Sequence, residues 1–298
     1  IRGVALSGSL RGPVSVTDAT LDNNTGEGVS VSINADVPGP VTFRNITITN
    51  NSSAKSGLYI ISHRGLSLSN VTIDKCTFNG SKGTGGYGIL LEVLKFTQLV
   101  PPLATLGSTL SNVTVTACTI KNNNVGIYLN NRDAVPILST LGVSVASSFI
   151  ENNGTGILVS NNAAVGNSAH ANNVVGNTVI GIQNNDPDDI FDATCNWYGT
   201  TVPADVAAKI SSNVDYIPYS ISNGGACSGG VHSATVGEPI ASACGTLDIP
   251  VTVREFTNVA NVSLTLNYDA TKLALQSVDI NSLLTGAIGN RDISGVFI

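Results

Sequence analysis

Ala117–Asn131 reads ACTIKNNNVGIYLNN and Ser147–Asn161 reads SSFIENNGTGILVSN, and the two align without a gap. Ile120 falls on Ile150, Asn122 on Asn152, Gly126 on Gly156 and Ile127 on Ile157. Moving outward, the same order of polar residues, a glycine and alternating apolar residues recurs. It appears at Gly28-Val29-Ser30-Val31, Gly57-Leu58-Tyr59-Ile60, Gly88-Ile89-Leu90-Leu91 and Gly181-Ile182. The anchor glycines 28, 57, 88, 126, 156 and 181 are 29, 31, 38, 30 and 25 residues apart. A second alternating run precedes an anchor at Asn45-Ile-Thr-Ile-Thr, Asn70-Val-Thr-Ile-Asp and Asn112-Val-Thr-Val-Thr. Alternation with a period of two marks short strands.

A unit of about 25–30 residues with two or three short strands cannot bury its own apolar face, but it can when stacked on copies of itself. The fold that fits is all-β, a right-handed parallel β-helix whose coils pair about 4.8 Å apart. Val113, Val115, Ile120, Ile127 and Leu129 then point inward as aliphatic columns. We assign Asn122, Asn152 and Asn177 to one corner column that forms an amide ladder, because Asn tolerates left-handed backbone and can bond to the next coil. Gly126, Gly156 and Gly181 are assigned to a bend that a side chain would crowd. Two insertions interrupt the repeat: Lys95 to Ser108, with Pro101-Pro102, and Arg132 to Gly142, with Pro136. They are expected to bulge from the rod at one corner. Loops on a rigid scaffold often carry recognition, although insertions into a solenoid are also cheap.

Composition narrows the function classes. The chain has 298 residues, a net charge of −6, only 11% charged residues and 32 Asn. That acidic balance argues against a nucleic-acid groove or an anionic membrane surface. No apolar run approaches the roughly 18–20 residues needed to span a bilayer, so no membrane insertion is expected. The chain starts at Ile1 and ends at Ile298, which reads as a piece of a longer protein.

From Asp186 the repeat stops. The core Asp192-Ala193-Thr194-Cys195-Asn196-Trp197-Tyr198-Gly199 resembles the D-A-x-x-N-W-W-G closing segment of bacterial surface and secreted β-helix proteins, with Tyr198 in place of the second Trp. The resemblance implies a C-terminal cap over about residues 186–221, in which Trp197 covers the last coil; the other reading of Trp197 is a sugar-stacking platform. Thr201, Pro203, Asp205, Val206 and Ile210 read as a short capped helix over that end. The β-helix domain is therefore placed at residues 1–221. Residues 222–232, which include SNGGACSGG, read as a small-residue linker. Residues 233–298 look like the N-terminal part of a cohesin-like β-sandwich, with strands at Leu247 to Val253 and Val262 to Tyr268. Its remaining strands would come from beyond Ile298 or from another chain.

Candidate chemistry is sparse. Glycoside hydrolysis generally needs two carboxylates about 5–10 Å apart. Asp22, Asp74, Glu92, Asp133 and Glu151 each stand alone in their coil. Asn131-Arg132-Asp133 reads as a structural or surface ion pair, and His63 and His170 read as surface residues without acidic partners. No catalytic residue is assigned. Asp186, Asp188, Asp189 and Asp192 form an acidic cluster, with calcium ligation and turn capping as its two readings. Cys76 and Cys118 share a column and read as buried thiols, a cross-coil disulfide being the alternative. Cys195 and Cys227 are placed to pair and staple the end of the rod, with Cys244 as a competitor.

The expected function is non-enzymatic and extracellular: a β-helix rod that presents loops and spaces modules. The family resemblance implies adhesion or assembly at a bacterial cell surface, with other surface proteins, glycans or further copies as partners. The alternative is a polysaccharide-degrading or carbohydrate-binding β-helix protein.

Overall fold

The computed structural model describes residues 3–8, 12–37, 40–51, 54–81, 83–97, 105–133 and 137–230, together with parts of 233–274 and 296–297. Contacts divide the chain into a first unit, Ile1–Val231, and a second, His232–Ile298.

Three parallel sheets wind through the first unit. The first sheet has seven strands, Val4–Gly8, Val29–Ile33, Leu58–Ser62, Tyr87–Val93, Val125–Asn131, Thr155–Val159 and Ile180–Asn184. Eight strands make the second, from Val14–Thr17 through Thr109–Thr116 to Val214–Asp215. Six three-residue strands make the third, from Thr20–Asp22 to Asn173–Val175. Each strand pairs with its equivalent one coil away; at the end of the second sheet Phe191–Asp192 pairs with Val214–Asp215, the next strand in sequence, across the helix. This is the expected parallel β-helix.

The alternating pattern fixes what lies inside. Val29, Leu58, Ile89, Ile127, Ile157 and Ile182 stand in register in the first sheet. Phe43, Ile73, Val115 and Val145 do so in the second, and Ile48, Phe78, Ile120, Ile150 and Val174 in the third. All of them are buried. Each such side chain contributes roughly 1.5–3 kcal/mol by leaving water, a gain available only because the next coil covers it.

The glycine file is a close-approach device. A Cβ on Gly3, Gly28, Gly57, Gly88, Gly126 or Gly156 would lie between 2.4 and 2.8 Å from the carbonyl oxygen of the next glycine in the file, ending at Gly181. The constraint is contact between coils, since none of these residues has a left-handed φ. Gly3 extends the file one coil earlier than the sequence pattern alone indicates.

Both insertions leave the first sheet and re-enter the second at the same corner. The first opens with an antiparallel pair, Phe96–Thr97 with Thr105–Leu106; Pro101-Pro102 lies outside the described residues. The second is tied down at its described ends by Asp133; Pro136 lies outside the described residues.

The C-terminal end is closed by the helix Pro203–Ala207, with Val206 buried and Ile210 bridged to Ile182. Val202, not Thr201, occupies the N-cap position, and no side chain caps it. The stretch read as a linker belongs to this cap. Tyr219–Ser220 pairs antiparallel with Cys227–Gly229, and the turn closes through Ile221 N–H to Ala226 O at 3.0 Å. Gly229 and Gly230 lie against the ring of Tyr219, so the small residues permit packing rather than free motion. The Cys195–Cys227 disulfide ties this hairpin to the cap.

In the second unit the described strands form short antiparallel pairs: Ser233–Val236 with Val251–Arg254, Ile240–Ala241 with Leu247–Asp248, and Leu266–Asn267 with Val296–Phe297. The proposed strand from Val262 to Tyr268 is described only at Leu266–Asn267, and Cys244 lies outside the described residues. Among the described residues no helix is long and apolar enough to cross a membrane.

Candidate functional site

Alternation in the first sheet turns every second residue outward. Ser30, Tyr59, Leu90, Tyr128, Leu158 and Gln183 form one outer column. Ser32, Ile61, Glu92 and Asn130 form the next. These columns bring together residues that lie far apart in the chain.

Glu92 is the centre of the cluster. It is only 5% exposed, so its charge needs partners. The Tyr59 hydroxyl donates to Oε1 at 3.0 Å, and the Asn130 amide donates to Oε2 at 2.8 Å. Arg132 reaches Oε1 at 3.3 Å from the following coil. Burial, followed by the negative field of Glu92, raises the Tyr59 phenol well above the ordinary tyrosine range. Tyr87 and Tyr128 are raised too, first by burial, and their ring centroids lie 5.2 Å apart at a tilt of 41°. His63 shares the face, with Nε2 3.1 Å from the Ser32 hydroxyl; burial and then Arg64 lower its pKa.

Next to this cluster lies an open cleft of about 490 Å³ whose lining includes Tyr128, Arg132, Asp133, Ser160, Asn161 and Asn185. Asp133 is part of that lining and is 5% exposed. Its Oδ1 accepts from the Lys95 N–H at 2.6 Å and the Ser139 hydroxyl at 3.2 Å. Its Oδ2 accepts from the Leu138 and Ser139 N–H groups at 2.9 and 2.8 Å. Burial opposes its charge, but these donors outweigh burial and hold the carboxyl below the ordinary Asp value. Arg132 and Asp133 do not form one local ion pair. Arg132 instead pairs with Glu92, 40 residues earlier, while backbone N–H groups hold Asp133. A carboxylate that stands alone in its coil gains partners from the coil above, which a linear reading does not display.

The remaining expectations fall as follows. Gly126, Gly156 and Gly181 stand in one file. The asparagine column needs correction, because Asn177 does not stand with Asn122 and Asn152. Gly176 does, as shown by the Asn152 N–H bond to Val175 O, and all three of Asn122, Asn152 and Gly176 are left-handed. Asn177 follows Asn123 and Asn153 in an interior ladder. The first residue of each Asn-Asn pair makes the turn, and the second points inward.

A second interior ladder runs Ile46, Cys76, Cys118, Ser148, Asn172 and Asn196, one residue before the third-sheet register. Its N–H groups donate down the file: Cys76 to Cys118 Sγ, Cys118 to Ser148 Oγ, Ser148 to Asn172 Oδ1, and Asn172 to Asn196 Oδ1. The two cysteines are therefore ladder acceptors, buried and unpaired as disulfides. The hydrogen bond with Cys76, and then burial, push the Cys118 thiol well above the ordinary value.

Trp197 pairs onto Asn173 in the last strand of the third sheet. It continues the outer third-sheet column of Phe149 and Asn173 and is half-buried, while Tyr198 is fully buried with its hydroxyl on Ala193 O. Nor do the four cap acids converge. Asp186 accepts from the N–H groups of Ala164 and Asp188, and Asp192 accepts from Thr194 and lies 3.4 Å from His170. Among the described residues, no group of three or more His, Cys, Asp or Glu side chains is placed to hold a metal ion. Asp186 and Asp192 hold main-chain N–H groups of nearby turns, Asp186 also one from the preceding coil, and His170 does have an acidic partner, supplied by the next coil.

Comparison with known proteins bears on the class. The family model described as "Right handed beta helix region" matches residues 2–191. The chain belongs to this right-handed β-helix family. Among solved structures, the A-module of the mannuronan C-5 epimerase AlgE6 of Azotobacter vinelandii is similar at 18% identity and a TM-score of 0.40, over 74% of this chain. The chain spans about 55% of that structure's length. No curated protein matches the sequence.

Proposed function

We propose that this chain is a non-enzymatic, extracellular β-helix module that binds glycans at the cleft beside Tyr128 and Arg132, with the rod serving adhesion or assembly at a cell surface. The observation that carries the reading is the state of the two carboxylates there. Both oxygens of Glu92 and both of Asp133 are already occupied by donors. A hydrolase needs one carboxyl with a raised pKa as general acid and a second as base or nucleophile. Asp133 is shifted the other way, and the phenol of Tyr59 is too weakly acidic to serve as a base near neutral pH. What the cleft offers is a tyrosine face and a rim of amides, the chemistry that stacks on a pyranose and bonds its hydroxyls. The Cys195–Cys227 disulfide supports an oxidising compartment.

The test is incubation of the purified chain with a panel of plant and microbial polysaccharides. Binding by affinity electrophoresis, with no new reducing ends and no unsaturated products, is the expected result. Depolymerisation or epimerisation of any of them would replace this reading with the enzymatic one.

A further inference from the structure

The proposed glycan site also carries its own selectivity. Among the described residues Arg132 is the one cation in the cleft lining, and its side chain is 54% exposed, so it is the group that an acidic sugar would have to engage. Its charge is already spoken for by Glu92 at 3.3 Å. Glu92 is buried, and Tyr59 and Asn130 hold it from the other sides. It therefore cannot swing away to release the guanidinium. In the lining, Asp133 adds a negative charge that is held by the N–H groups of Lys95, Leu138 and Ser139 and by the Ser139 hydroxyl. Glu92, Arg132 and Asp133 together sum to about −1, and the whole chain to −6. A carboxylate entering this cleft would lose water without gaining an uncompensated positive partner, and it would meet repulsion on approach. An uncharged pyranose meets none of these costs.

Resting on the glycan reading, we infer that the cleft selects neutral sugars over uronates, with Glu92 as the residue that sets the selectivity by neutralising Arg132. Glu92 is a positioning residue: it acts through Arg132 and not on the sugar.

The experiment measures binding of the full chain to galactomannan and xyloglucan as neutral probes and to polygalacturonate and alginate as acidic ones, at low ionic strength. Wild type is expected to hold a neutral probe at least tenfold more tightly than either acidic one. Glu92→Gln frees one positive charge and should improve polyuronate binding about tenfold, the effect of roughly 1.4 kcal/mol. The double variant E92Q/R132Q should return to wild-type selectivity, an outcome that merely structural damage at Glu92 would not produce. If E92Q does not fold, the salt response of the wild type decides. Polyuronate binding should stay weak or improve from low to physiological salt as repulsion is screened, whereas engagement of Arg132 as a free cation would make it fall steeply with salt. Tighter binding of wild type to a polyuronate overturns the selectivity while leaving the glycan reading standing. A folded chain that binds none of the four probes removes both.

Discussion

The backbone N–H of Asn123 donates to Oδ1 of Asn153 in the next coil at 3.0 Å, and the Asn123 amide donates to the same oxygen at 3.1 Å. Asn153 passes the arrangement on to Asn177 with equal distances. Each amide also returns a bond to a main-chain carbonyl, Phe78 O for Asn123 and Ile120 O for Asn153. The file therefore satisfies main-chain groups at a corner where the sheet ladders stop.

Asn153→Ala should be more damaging than Asn152→Ala. The first leaves the Asn123 N–H buried without its acceptor, at about 1–3 kcal/mol, and takes from the Ile120 carbonyl the amide that supplements its ladder bond. The second loses only the tolerance of Asn for left-handed backbone, about 1 kcal/mol. Asn152→Gly should be nearly neutral. Chemical denaturation of the three variants checks the order, and equal losses at 152 and 153 would contradict the ladder.

Gly126→Ala should destabilise the rod although Ala is otherwise the milder residue. The added carbon would sit 2.5 Å from the Gly156 carbonyl oxygen, which belongs to backbone and cannot rotate away. A cost of about 1–3 kcal/mol is expected from such overpacking. Gly142→Ala, whose Cβ would meet nothing closer than 3.6 Å, is the matched control. A melting-temperature comparison of the two decides.

The coil architecture was readable because the period-two pattern and the glycine anchors repeat, and both report one physical need, burial between stacked coils. The error over Asn177 came from treating Asn-Asn pairs as single marks. In Asn122-Asn123 and Asn152-Asn153 either residue can head the column, and Gly176 before Asn177 supplies the missing clue, since glycine replaces the left-handed partner. The Glu92 cluster was not readable. Tyr59, Glu92, Asn130 and Arg132 meet only through lateral register, and the coil lengths of 31 and 38 residues hide that register. The linker reading of SNGGACSGG failed because small residues mark tight packing around Tyr219 as readily as they mark flexibility.

Acid should loosen the corner that Asp133 organises. Its native pKa lies below the ordinary 3.8, so the unfolded chain takes up the proton first. The stabilisation is complete above that value and drains away as pH falls through the native one. Asp22, whose hydrogen bonds with Thr49 and Asn50 also lower its pKa, acts in the same direction. Melting temperatures should fall between about pH 5 and pH 3, and less steeply in Asp133→Asn. An identical slope in both proteins would show that Asp133 contributes nothing to acid sensitivity.

Replacing Cys195 and Cys227 together by Ser should lower stability by roughly 3–4 kcal/mol, the loop-closure value for a bridge across 32 residues. Cys118→Ser should cost far less, because Ser148 already fills the same ladder with its hydroxyl on Ala146 O, as the Cys118 thiol sits on Thr116 O. Thiol titration of the native chain should find Cys76 and Cys118 unreactive until it unfolds.

The glycine file and the corner of insertions set opposite rules for change along the same molecule. At the corner after Val93 and Asn131 a whole hairpin has been spliced in, and Asp133 simply stitches the seam. Along the file, one extra carbon is too many. Diversity in such a protein is therefore channelled to a single seam, which is where foreign peptides could be grafted without rewinding the rod.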